Sequence, residues 1–274
     1  MRGKVKILAI IGPTGSGKSA RAVEEALARN GEIISVDSRQ VYRGLDIGTE
    51  KMTGEDMDGI PHHLIDIRNV DEIYSAGDFV VDAQRLIEEI SSRGKLPILA
   101  GGTHFYFDAL LNGIPQETPA SPELRASFEP LSNEELYARI EEKDPERAAE
   151  LDPNNRRRLI RALEIIETKG PVPKRVKNEN YEIEWIVIDP PKEELLPRLE
   201  ARLKNAFSKG LITEVERTRA TYGDARLNEL GLEYRIVGEF LRGERSEDSL
   251  IPALTAKLWQ YAKHQKKWIR KLSL

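Results

Sequence analysis

Gly12 to Ser19 read "GPTGSGKS", and every required position of the phosphate-cradling pattern G-x-x-x-x-G-K-[ST] is present. The residue types dictate the chemistry. Gly12, Gly15 and Gly17, with Pro13, Thr14 and Ser16 between them, let backbone N–H groups turn inward toward phosphate oxygens. The helix expected to open at Lys18 adds its positive dipole end, Lys18 supplies a mobile cation, and the Ser19 hydroxyl is placed to ligate Mg²⁺. Eight residues do not say whose phosphates these are.

Other polar groups cluster where apolar runs end. "EIISVDSRQ" delivers Asp37, Ser38, Arg39 and Gln40 after a short strand-like run, and a carboxylate beside an amide that can bond a purine edge in two places suits base chemistry. A turn or cap aspartate is the bland alternative for Asp37. Asp189 in "WIVIDPP" competes for the acidic role, but two prolines follow it, which reads as a turn. "ILAGGTHF" brings the Thr103 hydroxyl and backbone N–H to the end of another run; a tight turn with a capping threonine explains that stretch equally well. "NNRRRLIRALEI" carries Arg156, Arg157, Arg158 and Arg161 at helical spacing, so one face presents several guanidinium forks suited to phosphate. Arg198 and Arg202 also share a helical face, and either could reach a diphosphate, although a surface salt-bridge helix accounts for them as well. The adjacent histidines of "PHHLIDI" diverge on a strand or loop, which argues against a shared metal.

The elements that must position these residues follow from hydrophobic period. "VKILAII" is a continuous apolar run, expected of a strand buried on both faces in a parallel sheet. A helix over "SARAVEEALARN", closed by Gly31, leads to the strand "EIISVD", which makes a βαβ start. "AGDFVVDAQRLIEEISSRG" reads as a helix ending at Gly94, and "KLPILAGG" as a further buried strand. From Ile114 the chain becomes charged, proline-punctuated and helical in period, without a strand-like run. "YEIEWIVIDP" then returns as a buried strand, a helix over "KEELLPRLEARLKNAFSKG" ends at Gly210, and two more helical stretches follow. The expected organisation is an α/β core over 1–113 and 181–274 with a helical insertion over 114–180.

Composition bounds the partners. With 42 Lys+Arg against 46 Asp+Glu the net charge is −4, so no global basic field points to nucleic acid and any such surface must be local. From Ser249 to Leu274 there are six basic residues and no acid, interleaved with Trp259, Tyr261 and Trp268; rings beside cations suit RNA, although aromatic residues at helical spacing also serve as packing anchors. The absence of cysteine removes disulfides and thiol chemistry and suits a reducing cytosol. No apolar run approaches a membrane span and no leader precedes the first strand, so a cytoplasmic protein is expected.

Taken in order, "GPTGSGKS", "SVDSRQVYRGLDIGTEK", "HHLIDI", "YSAGDF", "ILAGGTHFYFDALLNG", "NNRRRLIRALEI" and "YAKHQKKWIR" resemble the tRNA dimethylallyltransferase (tRNA isopentenyltransferase) family from about Ile7 to about Arg270. The resemblance implies a nucleotide-kinase-like parallel sheet with a helical insertion that embraces the anticodon stem. It also implies transfer of a dimethylallyl group from dimethylallyl diphosphate to N6 of the adenosine next to the anticodon, tRNA position 37, in tRNAs reading codons that begin with U. On that resemblance Asp37 is the general base, Thr103 sits near the reacting centre, and Lys18 and Arg202 join the phosphate loop in holding the diphosphate with Mg²⁺. Ser38, Arg39, Gln40 and Asp37 meet the target nucleotides, while Arg125, Arg157, Arg158 and Arg161 touch tRNA elsewhere. A monomer is expected. Three departures stand out: Met52 after "GTEK" where proline is common, "GLEYR" (Gly231–Arg235) for the commoner G-Y-[RK], and His264 for an arginine in "YAKRQ".

The residues themselves leave other classes open. A small-molecule kinase would use the loop for ATP and Asp37 on a hydroxyl, but the basic insertion and tail argue against it. An adenylate prenyltransferase would act on free nucleotide and need no insertion, and a noncatalytic RNA-binding protein would not need the loop lysine.

Overall fold

The structure is a computed structural model and describes residues 4–114 and 121–272. In chain order the elements are β1 (Val5–Ile11), α1 (Lys18–Arg29), β2 (Gly31–Ser35), β3 (His62–His63), α2 (Ala76–Ser92), β4 (Leu96–Gly101) and α3 (His104–Asn112). Four helices follow, α4 (Pro122–Phe128), α5 (Asn133–Lys143), α6 (Pro145–Glu150) and α7 (Arg156–Lys169). Then come β5 (Tyr181–Val187), α8 (Lys192–Ser208), α9 (Leu211–Glu229), α10 (Leu232–Leu241), a 3₁₀ turn (Glu247–Ser249) and α11 (Leu250–Ile269).

All five strands are parallel, in the order β3-β2-β4-β1-β5. This is the α/β class expected from the apolar runs. Parallel pairing sends every strand's C-terminal end to one edge, the edge where open α/β sheets bind ligands. The register is close: Ile11 pairs with Gly101 and Ser35 with Ala100, so the turns leaving β1, β2 and β4 emerge side by side. Gly101 permits that approach, because a Cβ there would stand 2.1 Å from the Val36 carbonyl oxygen. β1 is buried on both faces as its sequence predicts. Ile7, Ala9 and Ile11 pack into the large cluster containing Phe79, Ile87 and Leu99, while Leu8 and Ile10 pack with Ala22, Val23 and Ala26 of α1.

Three expectations need correction. β5 is an edge strand paired only to β1, so Glu182 and Glu184 face water between the partly buried Tyr181, Ile183 and Trp185. The cap of α1 is Asn30, at φ 51°, while Gly31 already belongs to β2. His62 and His63 form a short edge strand against Ile33 and Ile34, one of the two placements their sequence allowed. Among the described residues the region after Gly210 contains three α-helices, one more than its sequence pattern suggests, because Gly231 separates α9 from α10 without a polar loop.

The contacts divide the chain into two units, Met1–Leu111 with Asn178–Leu274, and Asn112–Lys177. The second has its own core of Phe128, Leu136, Ile140, Leu159, Leu163 and Ile166. Its helices start on side-chain caps: Ser121 for α4, Ser132 with Glu135 in a capping box for α5, Asp144 for α6 and Asn155 for α7. Residues 115–120 of the expected insertion lie outside the described residues. No described helix is long and apolar enough to cross a membrane.

Candidate active site

The phosphate loop sits where β1 ends and α1 begins. Gly17 adopts φ 90° at the N-cap of α1, a left-handed conformation that glycine enters without steric cost. Lys18 folds back and donates to the Pro13 carbonyl at 2.7 Å. Burial lowers its ammonium to about 8; Asp37 and Glu50 oppose that shift and Arg202 adds to it. A cation held at such cost beside a turn of glycines is poised for an anion. Ser19 is exposed in the first turn of α1, and the Ser16 hydroxyl is buried with no hydrogen-bond partner among the described residues.

The turn after β2 is built on Asp37. Its Oδ1 accepts from the backbone N–H of Arg39 at 2.8 Å and of Gln40 at 3.3 Å, so the turn reading is correct for one oxygen. Among the described residues no hydrogen bond reaches Oδ2. Thr103 locks this turn to the one after β4: its N–H donates to the Val36 carbonyl at 3.1 Å, and its Oγ1 accepts from the Ser38 N–H at 3.1 Å. Asp37, Ser38 and Thr103, separated by 65 residues of chain, thus form one ledge. Gln40 differs from the purine-reading role. Its Oε1 accepts from Ser35 Oγ at 3.0 Å and its Nε2 donates to the Thr49 carbonyl at 3.1 Å, so both ends of the amide are engaged in tying the loop 46–51 to β2.

Arg202 arrives from α8. Its Nη1 donates to the Thr14 hydroxyl of the phosphate loop, its Nε pairs with Glu50 at 2.7 Å, and its Nη2 pairs with Glu233 at 3.0 Å. Of the two arginines of α8, Arg202 is therefore at the loop, while Arg198 pairs with Glu194 one helical turn away. The cluster gathers Lys18, Arg202 and the loop amides on one side of the ledge that carries Asp37.

Several residues that hold this site carried no readable signal. Gln265, 3% exposed, accepts from the Thr14 N–H at 2.8 Å and donates to the Gly102 carbonyl at 2.9 Å, joining α11 to the turns after β1 and β4. Glu214 accepts from three consecutive N–H groups, Asp46, Ile47 and Gly48, at 2.8 to 2.9 Å, and from the Tyr234 hydroxyl at 2.7 Å. Lys51 donates to the Tyr42 carbonyl and pairs with Asp46 and Asp66. "GTEK" and "YAKHQ" marked the places of Lys51 and Gln265, but not what they hold.

The two tryptophans of the tail pack, while Tyr261 is 42% exposed. Trp268 stacks on His104 with ring centroids 4.5 Å apart, and Trp259 takes Lys192 over its face at 5.9 Å. Lys266 donates to the Pro190 carbonyl and pairs with Asp189 at 2.6 Å, so that carboxylate is engaged by α11. His104 follows Thr103. Burial and the nearby Lys18 push its imidazole down to about 4, so the ring is neutral near pH 7, and its Nε2 finds no hydrogen-bond partner among the described residues. His264 is exposed.

The arginines of the insertion divide. Arg156 turns inward and donates to the carbonyls of Leu131, Phe128 and Glu129. Arg125 and Arg161 both pair with Glu164, a fully buried carboxylate that also accepts from the Ser121 N–H. Burial pushes Glu164 up, but the two arginines outweigh it and hold it below the usual carboxylate range. The expected face of several guanidinium forks therefore narrows: Arg157 and Arg158 are exposed, and among the described residues no partner engages either side chain.

A glycine-rich loop opening the first helix of an all-parallel sheet, with acid and hydroxyl groups on adjoining turns, defines an α/β protein whose polar groups meet at one sheet edge. The IPP transferase family model matches residues 40–272, and the chain belongs to that family. It is 41% identical over 284 residues to the tRNA dimethylallyltransferase of Thermomicrobium roseum, covering 99% of this chain and 85% of that one. To the enzyme of that name in Staphylococcus haemolyticus it is 38% identical, covering 96% and 83%. Among solved structures, the full-length tRNA isopentenylpyrophosphate transferase of Bacillus halodurans matches with a TM-score of 0.74 and 37% identity, over 98% of this chain and 88% of that one. A eukaryotic dimethylallyltransferase acting on tRNA matches with a TM-score of 0.82 and 30% identity, over 97% and 70%.

Proposed function

We propose that the chain transfers a dimethylallyl group from dimethylallyl diphosphate to N6 of the adenosine adjacent to the anticodon, in tRNAs that read codons beginning with U. The observation that carries this reading is the meeting at one sheet edge of an anion loop, two cations and a carboxylate with an unengaged oxygen, in a chain whose relatives are named for this transfer.

The chemistry suits those groups. The exocyclic amine of adenine is a poor nucleophile, because its lone pair is delocalised into the ring. Asp37 Oδ2 accepts the N6 proton as the N–C bond forms, and the turn bonds on Oδ1 keep the carboxylate aimed. The allylic C–O bond breaks in the same displacement, and its electron pair leaves with the diphosphate. Lys18, Arg202 and the loop amides stand where that charge develops, so they stabilise the transition state more than the ground state. Thr103 holds the Ser38 turn against the end of β4 and leaves its hydroxyl proton to donate into the site. An anticodon loop is already single stranded, which lowers the cost of moving the base out of its stack. Arg157 and Arg158 contact tRNA phosphates, with Arg125 and Arg161 set beside them on Glu164.

Mg²⁺ is the proposed cofactor. Among the described residues no group of three or more His, Cys, Asp or Glu could cage an ion, and the donor at hand is the exposed Ser19 hydroxyl. That donor set fits a hard cation that keeps much of its water and takes further ligands from substrate phosphates. When bound it neutralises charge on the diphosphate. The proposed working form is a cytoplasmic monomer.

One assay decides among the enzyme classes. The protein is incubated with radiolabelled dimethylallyl diphosphate, Mg²⁺ and unmodified tRNA, with AMP as a parallel acceptor and ATP as a parallel donor. Label in tRNA is expected; label in AMP alone, or phosphate transfer from ATP, overturns the reading.

A further inference from the structure

A diphosphate site gains from cations and loses from carboxylates, yet two glutamates stand against Arg202. They differ in almost every respect. Glu50 lies on the loop after Gly48, its side chain 45% exposed, and can swing into water when an anion arrives. Glu233 is the second residue of α10, its side chain 12% exposed. The backbone that carries it is fixed on both sides: Gly231 opens the helix, and the neighbouring Tyr234 is buried with its hydroxyl on Glu214. Burial pushes the Glu233 carboxyl up and Arg202 opposes that. A buried carboxylate near the loop needs a reason, because it repels the ligand and is costly to desolvate.

Neutralising Arg202 is not a sufficient reason, since Glu50 already does so and is able to leave. Orientation is. Arg202 reaches the loop through one terminal nitrogen, Nη1 on Thr14, while the other terminal nitrogen is held by Glu233. A planar guanidinium gripped at one end presents its other edge in a single direction, and an arginine without that grip samples many rotamers. We infer that Glu233 is a positioning residue that aims the Arg202 guanidinium at the phosphate loop, and that Glu50 is the exchangeable partner a diphosphate displaces. The inference rests on the diphosphate reading of the loop. In this chain the carboxylate stands in "GLEYR", the stretch that departs from the commoner G-Y-[RK].

The test is direct binding of inorganic pyrophosphate, with Mg²⁺, to the full chain by calorimetry. Arg202→Ala is expected to weaken binding on the order of a hundredfold. Glu233→Ala is expected to weaken it about five- to twentyfold although it removes a negative charge, and Glu233→Gln, which keeps an acceptor, by less. Glu50→Gln is expected to tighten it a few-fold. In the Arg202→Ala background Glu233→Ala is expected to change nothing further, because its effect runs through the arginine. Tighter or unchanged binding in Glu233→Ala overturns the inference. So does a loss that repeats in full on the Arg202→Ala background, the result of a merely structural role. A wild-type protein that binds no pyrophosphate overturns the diphosphate reading itself, an outcome separate from any difference between variants.

Discussion

In the core unit Arg202 is brought to Thr14 across 188 residues of chain and is held there by two carboxylates, whereas in the insertion Arg157 and Arg158 stand on the exposed face of α7 with their charges in water. Even the paired arginines of the insertion differ from Arg202. Arg125 and Arg161 are drawn to a buried carboxylate within their own helical unit, with no anion loop attached. The lesson concerns what each cation is able to do. A guanidinium fixed in a partly dry site acts at full strength where charge develops and does not reorganise during the reaction. An exposed guanidinium is screened by salt and is worth a phosphate contact at most. Core substitutions should therefore act on turnover, and insertion substitutions on tRNA affinity and its salt dependence.

The largest expected effect is at the ledge. Asp37→Ala should lower kcat about 10²–10⁴-fold and leave tRNA affinity nearly unchanged, as measured by single-turnover prenylation beside filter binding. Equal losses in both would break the contrast between the units, since the carboxylate would then serve binding. Next comes Gln265→Ala, which strands the Thr14 N–H and the Gly102 carbonyl. It should cost about 1–3 kcal/mol of stability in a denaturant melt, with the rate falling as the two turns loosen.

Lys18 supplies a pH test. With its ammonium lowered to about 8, it is charged at neutral pH and loses its proton as pH rises through that value. Affinity for an unreactive analogue of the prenyl diphosphate should be level below pH 7.5 and fall above about 8, with proton uptake on binding there; Lys18→Met should lack that step. Stability moves the other way. Between pH 8 and the ordinary lysine value the unfolded chain binds the proton that the folded chain has lost, so this residue's contribution to stability grows with pH across that window. The smallest expected effect is in the insertion: Arg157→Ala should weaken tRNA binding modestly and reduce the slope of log affinity against log salt by about one contact, with kcat unchanged. An unchanged slope would make that face merely solvated.

Legibility followed contact range. The phosphate loop, the strand before it, the helix after it, the Asp37 turn and the Gly101–Thr103 turn are all encoded within a few adjacent residues, and each stands where its pattern places it. The edge position of β5 was hinted at by its alternating glutamates, but a strand's neighbours are not written in the strand. Gln40 shows the limit more sharply. Its amide has the chemistry to read a base, and only the positions of Ser35 and Thr49 show that both ends are occupied. The tail tryptophans show the same limit: their spacing suits RNA or packing, and only His104 and Lys192 against them decide for packing.

By itself the sequence determined that this chain opens its first helix on a glycine-rich loop of the phosphate-cradling pattern, places an acid and a hydroxyl on nearby turns, and interrupts its core with charged helices. Those are consequences of local spacing, where a backbone conformation or a helical face depends on residues within one or two turns. Tertiary structure alone decided which cations reach the loop and what holds them. Thr14 meets Gln265 across 251 residues and Arg202 across 188, and three successive amides of the loop at 46–48 meet the single carboxylate of Glu214. No period in the chain encodes such partners. They meet because a parallel sheet delivers its strand ends to one edge and the C-terminal helices pack back against it.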